Sequence, residues 1–184
     1  MLPSSWRTYL PSVYLAASRY GVDPAIVLAV IGTESNFNPQ AVRQEATDAS
    51  YGLMQVLFGT AQGLGYTGLA AGLLDPLTSI DLGTRLLGQN LRARGGDVEA
   101  AVSQYNGGYR PSLGFGKRFP NGTFGNQGHV DRFTRWWVET RAALQVSTPP
   151  APGTPPSPPE RALSLSPWLI VAGLLAGWFL LRKG

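Results

Sequence analysis

The sequence predicts a mainly α-helical fold, and three observations support this prediction. Helix capping signals recur along the chain, since Asp23-Pro24, Asp75-Pro76 and Asp97 each precede a helical pattern. The apolar residues that follow return at intervals of about three and four, which is the spacing of an amphipathic helix. No alternation of apolar and polar residues that would indicate a strand continues for more than a few positions.

The first two predicted helices are separated by a short turn. Pro11 can begin a helix that runs to Tyr20 and ends at Gly21. In the next helix, residues 25–31 are apolar on every face, so we expect this helix to be buried at the centre of the domain. It is predicted to end near Glu34.

The rest of the domain is predicted as helices joined by glycine-rich loops. A loop follows from 36 to 55 because Asn, Pro, Asp and Gly are frequent there. Further helices are predicted at Thr60–Leu64, Asp75–Arg94, Asp97–Tyr105 and Val130–Leu144. Residues 107–128 contain seven glycines and are predicted to form a long loop. The side chains of the last helix that we expect to face the core are Phe133, Trp136, Trp137 and Val138.

Composition excludes several kinds of active site. The 184 residues include no cysteine and one histidine, which excludes disulfides, a thiol nucleophile and a histidine-rich metal site. Acid–base chemistry must therefore depend mainly on the eleven Asp and Glu residues, and we expect no metal or cofactor. A net charge of +4, dispersed along the chain, is too small to indicate nucleic-acid binding.

The chain divides into three parts by composition. We predict a folded domain over 1–147, a proline-rich linker over 148–161 and an apolar tail over 162–184. Seven of the fifteen prolines fall between Thr148 and Glu160, and such a stretch favours an extended spacer.

The apolar tail is predicted to be a transmembrane or membrane-associated helix. Trp168–Leu181 contains fourteen apolar residues, and extension back to Ala162 gives twenty, which is about the length that spans a bilayer. A helix that docks on the domain or on a partner protein is the alternative. Gly173 and Gly177 form a GxxxG pair, which would permit a weak dimer through the tail.

Glu34 is the first candidate catalytic residue. It follows an apolar helix, so burial should disfavour its ionised form and raise its pKa. A carboxylic acid that stays protonated near neutral pH can protonate a glycosidic oxygen. This observation is weak by itself, because most glutamates at helix ends are solvated.

Three short motifs surround this candidate in a fixed order. They are Glu34-Ser35-Asn36-Phe37-Asn38-Pro39, Ser50-Tyr51-Gly52-Leu53-Met54-Gln55 and Gln104-Tyr105-Asn106-Gly107-Gly108. Together they resemble the lytic transglycosylase domain of the soluble (SLT) type, which is related to goose-type lysozyme. The resemblance covers roughly residues 6–142 and implies a lysozyme-like helical domain that cuts the glycan strands of peptidoglycan.

The resemblance implies a role for each matching residue. Glu34 matches the single catalytic acid and base of the family, and Tyr105 matches a tyrosine whose hydroxyl lies near that carboxyl. Substrate contacts are implied for Ser35, Gly52, Met54, Gln55, Asn106 and Gly107. We expect Leu53 and Val56 to pack in the core instead.

The sequence also departs from the family pattern. His129 stands where a tyrosine often precedes valine, and we expect it to be a surface or hydrogen-bonded residue rather than a catalyst. The third motif has Gln104 and Gly107 where the family more often has alanine.

Two reactions at the same bond stay open. A transglycosylase that resembles this chain uses Glu34 alone to cleave between N-acetylmuramic acid and N-acetylglucosamine, and forms a 1,6-anhydro product. A goose-type muramidase would hydrolyse that bond, with Asp48 as a possible second carboxylate and Glu45 as a weaker candidate. The context of Asp48 favours a turn or a cap instead. A non-catalytic peptidoglycan-binding protein or a structural virion membrane protein is the third alternative.

The position of the tail raises a question of location. We expect no signal peptide, because Arg7 and Pro11 interrupt the first twenty residues. Arg182 and Lys183 after the tail would favour the cytoplasmic side of a membrane. Two hypotheses fit these features: a phage lysis enzyme at the host inner membrane, or a component of a lipid-containing virion that acts during entry. A cellular enzyme that is exported by an unusual route is the alternative to both.

Overall fold

The computed structural model describes residues 2–45 and 47–147, and the fold of this part is mainly helical, as predicted. Its helices are α1 Leu10–Tyr20, α2 Pro24–Ser35, α3 Phe58–Gly63, α4 Pro76–Ala93, α5 Val98–Gly107 and α6 Gln127–Ser147. Short 3₁₀ helices span Ser4–Tyr9, Ala70–Leu74 and Pro111–Leu113. The predicted linker (148–161) and apolar tail (162–184) lie outside the described residues.

The predicted helix starts are confirmed by side-chain caps. The carboxylate of Asp23 accepts a hydrogen bond from a backbone N–H of the first turn of α2, at 2.7 Å. Asp75 and Asp97 do the same for α4 and α5, at 2.9 Å and 3.0 Å. Gly21 ends α1 with φ +68°, a left-handed conformation that glycine adopts without strain.

The predicted loop from 36 to 55 contains two strands of a small antiparallel sheet, and the third strand follows directly after it. Strand β1 (Val42–Gln44) pairs with β2 (Ala49–Tyr51), and β2 pairs with β3 (Val56–Leu57). Each strand has only two or three residues, which is too short for an alternating pattern to be visible in the sequence. The loop between β2 and β3 returns to the end of α2, where the Leu53 carbonyl accepts a hydrogen bond from Ser35.

Helix α2 forms the centre of the core. Every residue from Ala25 to Gly32 is buried, as its apolar composition predicts. Helix α6 packs along α2: the Trp136 ring lies over Gly32, where an added Cβ would come within 2.5 Å of it. At the other end of the contact, the Thr140 hydroxyl donates a hydrogen bond to the Ala25 carbonyl at 2.8 Å.

One prediction about α6 is wrong. Phe133 is fully buried, and Trp136 and Trp137 pack against the core, but Val138 is 66% exposed. Five positions from Phe133 correspond to about 140° around a helix, so Val138 lies on the opposite face.

None of the described helices is, by itself, long and apolar enough to cross a membrane. Ser4–Tyr20 and Pro24–Ser35 reach the required length and apolar character only when they are taken together, and this pair is bent by 119°.

The two faces of α6 make a testable contrast. Phe133→Ala should lower the free energy of unfolding of the full chain by about 3 to 5 kcal/mol, because it empties a buried site. Val138→Ala should change it by less than about 0.5 kcal/mol, because the side chain is exposed. Chemical denaturation of both variants provides the measurement. Equal losses would contradict a buried Phe133 and an exposed Val138 on α6.

Candidate active site

The Glu34 side chain lies at the C-terminal end of α2 and reaches a cavity. The chain leaves the helix through Asn36 and Phe37, which both have positive φ angles, +50° and +62°. The Ser35 hydroxyl lies within hydrogen-bond distance of the Ile31 and Leu53 carbonyls, at 3.1 Å and 2.8 Å, and ties the helix end to the loop before β3. The Glu34 side chain is only 4% exposed, although it lines a cavity of about 490 Å³.

This cavity is part of a longer groove between the small sheet, α3 and α5. Besides Glu34, its polar lining includes Arg43, Glu45, Asp48, Ser50, Gln55, Tyr105, Asn106 and Arg110. A second cavity of about 530 Å³ shares six of the lining residues, Tyr105 and Asn106 among them. The two cavities therefore adjoin along α5 and form one elongated groove.

Burial controls the protonation of Glu34. Loss of hydration raises the pKa of this carboxyl to about 7, although the positive charges of Arg43 and Arg132 oppose the shift. Glu34 is thus substantially protonated near neutral pH, in agreement with its position after an apolar helix.

His129 contacts Glu34 directly. It lies near the start of α6, is only 7% exposed, and its Nε2 is 3.5 Å from Glu34 Oε1. Burial, together with Arg132 and Arg43, lowers its pKa to about 4. From the sequence we expect His129 to be either a surface residue or a hydrogen-bonded one. The surface position is wrong, and the hydrogen-bonded position is confirmed by the contact of His129 with Arg132. The sequence held no sign of the Glu34 contact, because the two residues are far apart in the chain.

Tyr105 lines the same cavity from α5. Its hydroxyl donates a hydrogen bond to the Met54 carbonyl at 2.8 Å, which connects α5 to the loop before β3. Burial, and then the nearby Glu34 charge, raise the pKa of Tyr105, so the group stays a neutral phenol.

Gln55 lines the cavity in a strained backbone conformation, with φ +48°. Its Nε2 donates hydrogen bonds to the carbonyls of Ala41 and Gly52, at 2.9 Å and 3.0 Å. Both amide hydrogens are used inside the protein, and Oε1 is the atom with which this side chain can accept a bond from a ligand.

Two residues of the second motif, Met54 and Gly52, are buried inside the protein and do not make the predicted substrate contacts. The Met54 side chain is fully buried against Gly83, so the predicted contact with sugar is wrong. Gly52 is buried with φ +74°, and a Cβ there would collide with the Leu73 carbonyl; it forms a turn. Leu53 and Val56 are buried in the core, as expected.

The third motif borders the groove with exposed polar groups. Asn106 is exposed, lines both cavities, and its Oδ1 accepts a hydrogen bond from Asn126 Nδ2 at 3.0 Å. Gly107 lies under the Phe115 ring, where a Cβ would come within 2.9 Å of ring carbon, so its small size serves packing of the glycine-rich loop.

Asp48 and Glu45 line the cavity but are held by other groups. The Asp48 carboxylate accepts hydrogen bonds from the backbone N–H groups of Ala49 and Gly59, at 2.7 Å and 2.9 Å. The Glu45 carboxylate pairs with Arg43 at 2.9 Å. Asp48 thus has the turn-forming position that its sequence context favours.

This chain is similar to known proteins in two comparisons, one of sequence and one of fold. The sequence model of the transglycosylase SLT domain matches residues 12–118, more than half of the 184 residues. The fold is similar to an inactive mutant of the lytic transglycosylase Slt from Pseudomonas aeruginosa, with 20% identity and a TM-score of 0.61 over 80% of this chain and 26% of that one.

Two further structures show the same similarity. The 70-kDa soluble lytic transglycosylase from Escherichia coli has 21% identity and a TM-score of 0.59, over 74% of this chain and 24% of that one. A complex of a 70-kDa soluble lytic transglycosylase with bulgecin A has 22% identity and a TM-score of 0.60, with the same coverage. This chain therefore spans about a quarter of the length of these enzymes, with which it shares the fold. By its sequence, the chain belongs to the transglycosylase SLT domain family.

Proposed function

We propose that this chain cleaves the glycan strands of peptidoglycan as a lytic transglycosylase. The observation that carries the proposal is the Glu34 carboxyl, which lies buried at the wall of a groove with its pKa raised to about 7. Membership of the SLT domain family supports peptidoglycan as the substrate. The proposed bond is the β-1,4 bond between N-acetylmuramic acid and N-acetylglucosamine.

In the first step, protonated Glu34 acts as a general acid. Its proton goes to the glycosidic oxygen as the bond from that oxygen to the muramyl C1 breaks. The cationic centre that develops at C1 is stabilised by the acetamido oxygen of the substrate itself. N-acetylglucosamine then leaves with a new hydroxyl group.

In the second step, the same carboxyl acts as a base. Ionised Glu34 takes the proton from the muramyl C6 hydroxyl, while the C6 oxygen forms a bond to C1 and closes the 1,6-anhydro ring. Glu34 is again protonated, and no water is consumed. The cycle requires one carboxyl group that is stable in both protonation states near neutral pH, which a pKa of about 7 provides.

The positions of the other acidic residues favour this reaction over hydrolysis. A hydrolase with two carboxylates needs a second one that is free to activate water. Asp48 uses both carboxylate oxygens to hold backbone N–H groups, and Glu45 pairs with Arg43. Neither carboxylate is thus free to activate water. Analysis of the products distinguishes hydrolysis by a muramidase from the transglycosylase reaction.

Loss of the Glu34 carboxyl should abolish cleavage. Glu34→Gln removes the acidic proton, and we expect the rate of peptidoglycan solubilisation to fall about a thousandfold. Mass spectrometry of the wild-type products should show 1,6-anhydro ends. Asp131→Asn, a change of an exposed carboxylate on α6, is the matched control and should retain activity. Reducing ends in the products would identify a muramidase, and activity in Glu34→Gln would remove Glu34 from its role.

The pH dependence of cleavage should report the pKa of Glu34. The acid form is the active form in the first step, so kcat/KM should decline as pH rises through about 7. A carboxyl with an ordinary pKa would place this decline at about pH 4.5 instead. Initial rates of release from purified cell walls, measured across this range, distinguish the two cases.

We further propose that the tail over 162–184 attaches the domain to a lipid membrane. Its apolar length in the sequence supports this. The roles in phage entry or host lysis, and a dimer through Gly173 and Gly177, stay predictions. The presence of the protein in purified virus particles would favour the entry role.

Flotation with liposomes tests the anchor. The full chain should float with the vesicles, whereas a chain that ends at Ser147 should stay in the dense fraction. If both proteins float, or neither does, the tail is not the membrane anchor.

A further inference from the structure

We propose that His129 is a positioning residue for Glu34: its neutral imidazole donates a hydrogen bond from Nε2 to Glu34 Oε1 and leaves Oε2 as the acidic oxygen. This inference rests on the proposed function of Glu34, and it adds a residue that the motifs do not contain. The Glu34 carboxyl would thereby be held in one orientation toward the groove.

The first support is the rigid placement of the two side chains. Nε2 of His129 lies 3.5 Å from Oε1, and the two side chains are 6% and 4% exposed. Helix α6, which carries His129, is fixed along α2 by the Trp136 ring over Gly32 and by the hydrogen bond from Thr140. Since both helices are parts of the core, the contact is built into the fold.

The second support is the other nitrogen of the ring, which determines where the proton resides. Nδ1 of His129 lies 3.4 Å from Nη2 of Arg132. A guanidinium group can only donate hydrogen bonds, so Nδ1 must be the acceptor. Arg132 is itself held by a bond from Nη1 to the Gly128 carbonyl at 3.2 Å. A neutral ring with a bare Nδ1 carries its hydrogen on Nε2, the nitrogen that faces Glu34.

Burial keeps the imidazole neutral, and the positive charges around the pair add to this effect. Arg132 of α6 and Arg43 of β1 act on both groups, and with burial they lower the pKa of His129 to about 4. Glu34, with its pKa near 7, therefore titrates beside a ring that stays uncharged. Tyr105 of α5 also faces the carboxyl, but its hydrogen is bonded to the Met54 carbonyl. Among residues 2–45 and 47–147, His129 is thus the side chain placed to donate to Glu34.

A neutral donor suits a group that must alternate between acid and base. An imidazolium would hold Glu34 in its ionised form and remove the acidic proton. A neutral Nε2–H can donate to Oε1 whether the carboxyl is protonated on Oε2 or ionised. His129 would therefore orient Glu34 through both steps without any proton transfer of its own.

The single histidine of the chain allows a direct test. In the full-length protein labelled with ¹⁵N-histidine, NMR should show one pair of imidazole nitrogen resonances, those of His129. We expect the hydrogen on Nε2 and a neutral ring from about pH 5 to about pH 8, given its lowered pKa. A hydrogen on Nδ1, or a ring that titrates near about pH 6.5, would overturn the proposal.

Two variants test whether the donated bond acts on Glu34. In His129→Gln the amide nitrogen can replace Nε2 as a donor, whereas His129→Leu has none. Thr140→Val is the control, because it removes another buried polar contact between α6 and α2 at the opposite end of α2. In protein with ¹³C-labelled glutamate, the resonance that Glu34→Gln removes identifies Glu34 and reports its titration.

The expected results differ among the three variants. His129→Leu should raise the titration midpoint of Glu34 by about one pH unit, because the ionised form loses a hydrogen bond. His129→Gln should restore it to nearly the wild-type value, and Thr140→Val should not move it. If His129→Gln and His129→Leu give the same midpoint, the contact is packing alone and the proposal is wrong.

Kinetics separate this proposal from the proposed function. His129→Leu should lower kcat about tenfold with little change in KM, and His129→Gln should recover most of the loss. A wild-type protein that does not cleave peptidoglycan would contradict the proposed function. The NMR titrations would still decide whether His129 holds the Glu34 carboxyl.

Discussion

The burial of α2 is the constraint on which the rest of the domain depends. A helix with no polar face must be covered on all sides, since each exposed apolar side chain would lose hydrophobic stabilisation. Helix α6 provides much of this cover, and Gly32 lets the Trp136 ring approach the α2 backbone closely. The carboxyl of Glu34 follows directly on this buried stretch. The raised pKa of Glu34 is therefore a consequence of how the core is assembled.

The motif residues serve the loop after α2 as much as they serve a ligand. Ser35, Gln55 and Tyr105 each donate a hydrogen bond to a backbone carbonyl of this region. A loop with few regular backbone pairs needs such partners, because buried carbonyl groups without them would destabilise the fold. Gln55 and Tyr105 also line the groove, whereas Ser35 is not one of its lining residues and acts on the loop alone.

Local signals in the sequence were enough to predict most helices, but contacts between distant segments were not. Asp23, Asp75 and Asp97 act within one turn of their own position, so the helix starts could be inferred. Glu34 could be identified because it follows an apolar helix and because three motifs in a fixed order resemble a known family. The contact of His129 with Glu34, and the burial of Met54 against Gly83, depend on how α6 and α4 pack, which no local pattern encodes.

The shifted pKa values of Glu34 and His129 also lower the free energy of unfolding, at different pH for each residue. The pKa of Glu34 is raised from 4.5 to about 7, so its contribution to the free energy of unfolding falls by up to about 3 kcal/mol as pH rises through this window. The pKa of His129 is lowered from 6.5 to about 4, so its contribution falls by a similar amount as pH decreases through that window. The two windows overlap almost completely, so as pH rises the destabilisation from His129 decreases while the destabilisation from Glu34 increases. The summed destabilisation from the two groups is therefore nearly constant with pH, and the apolar core around α2 must offset it.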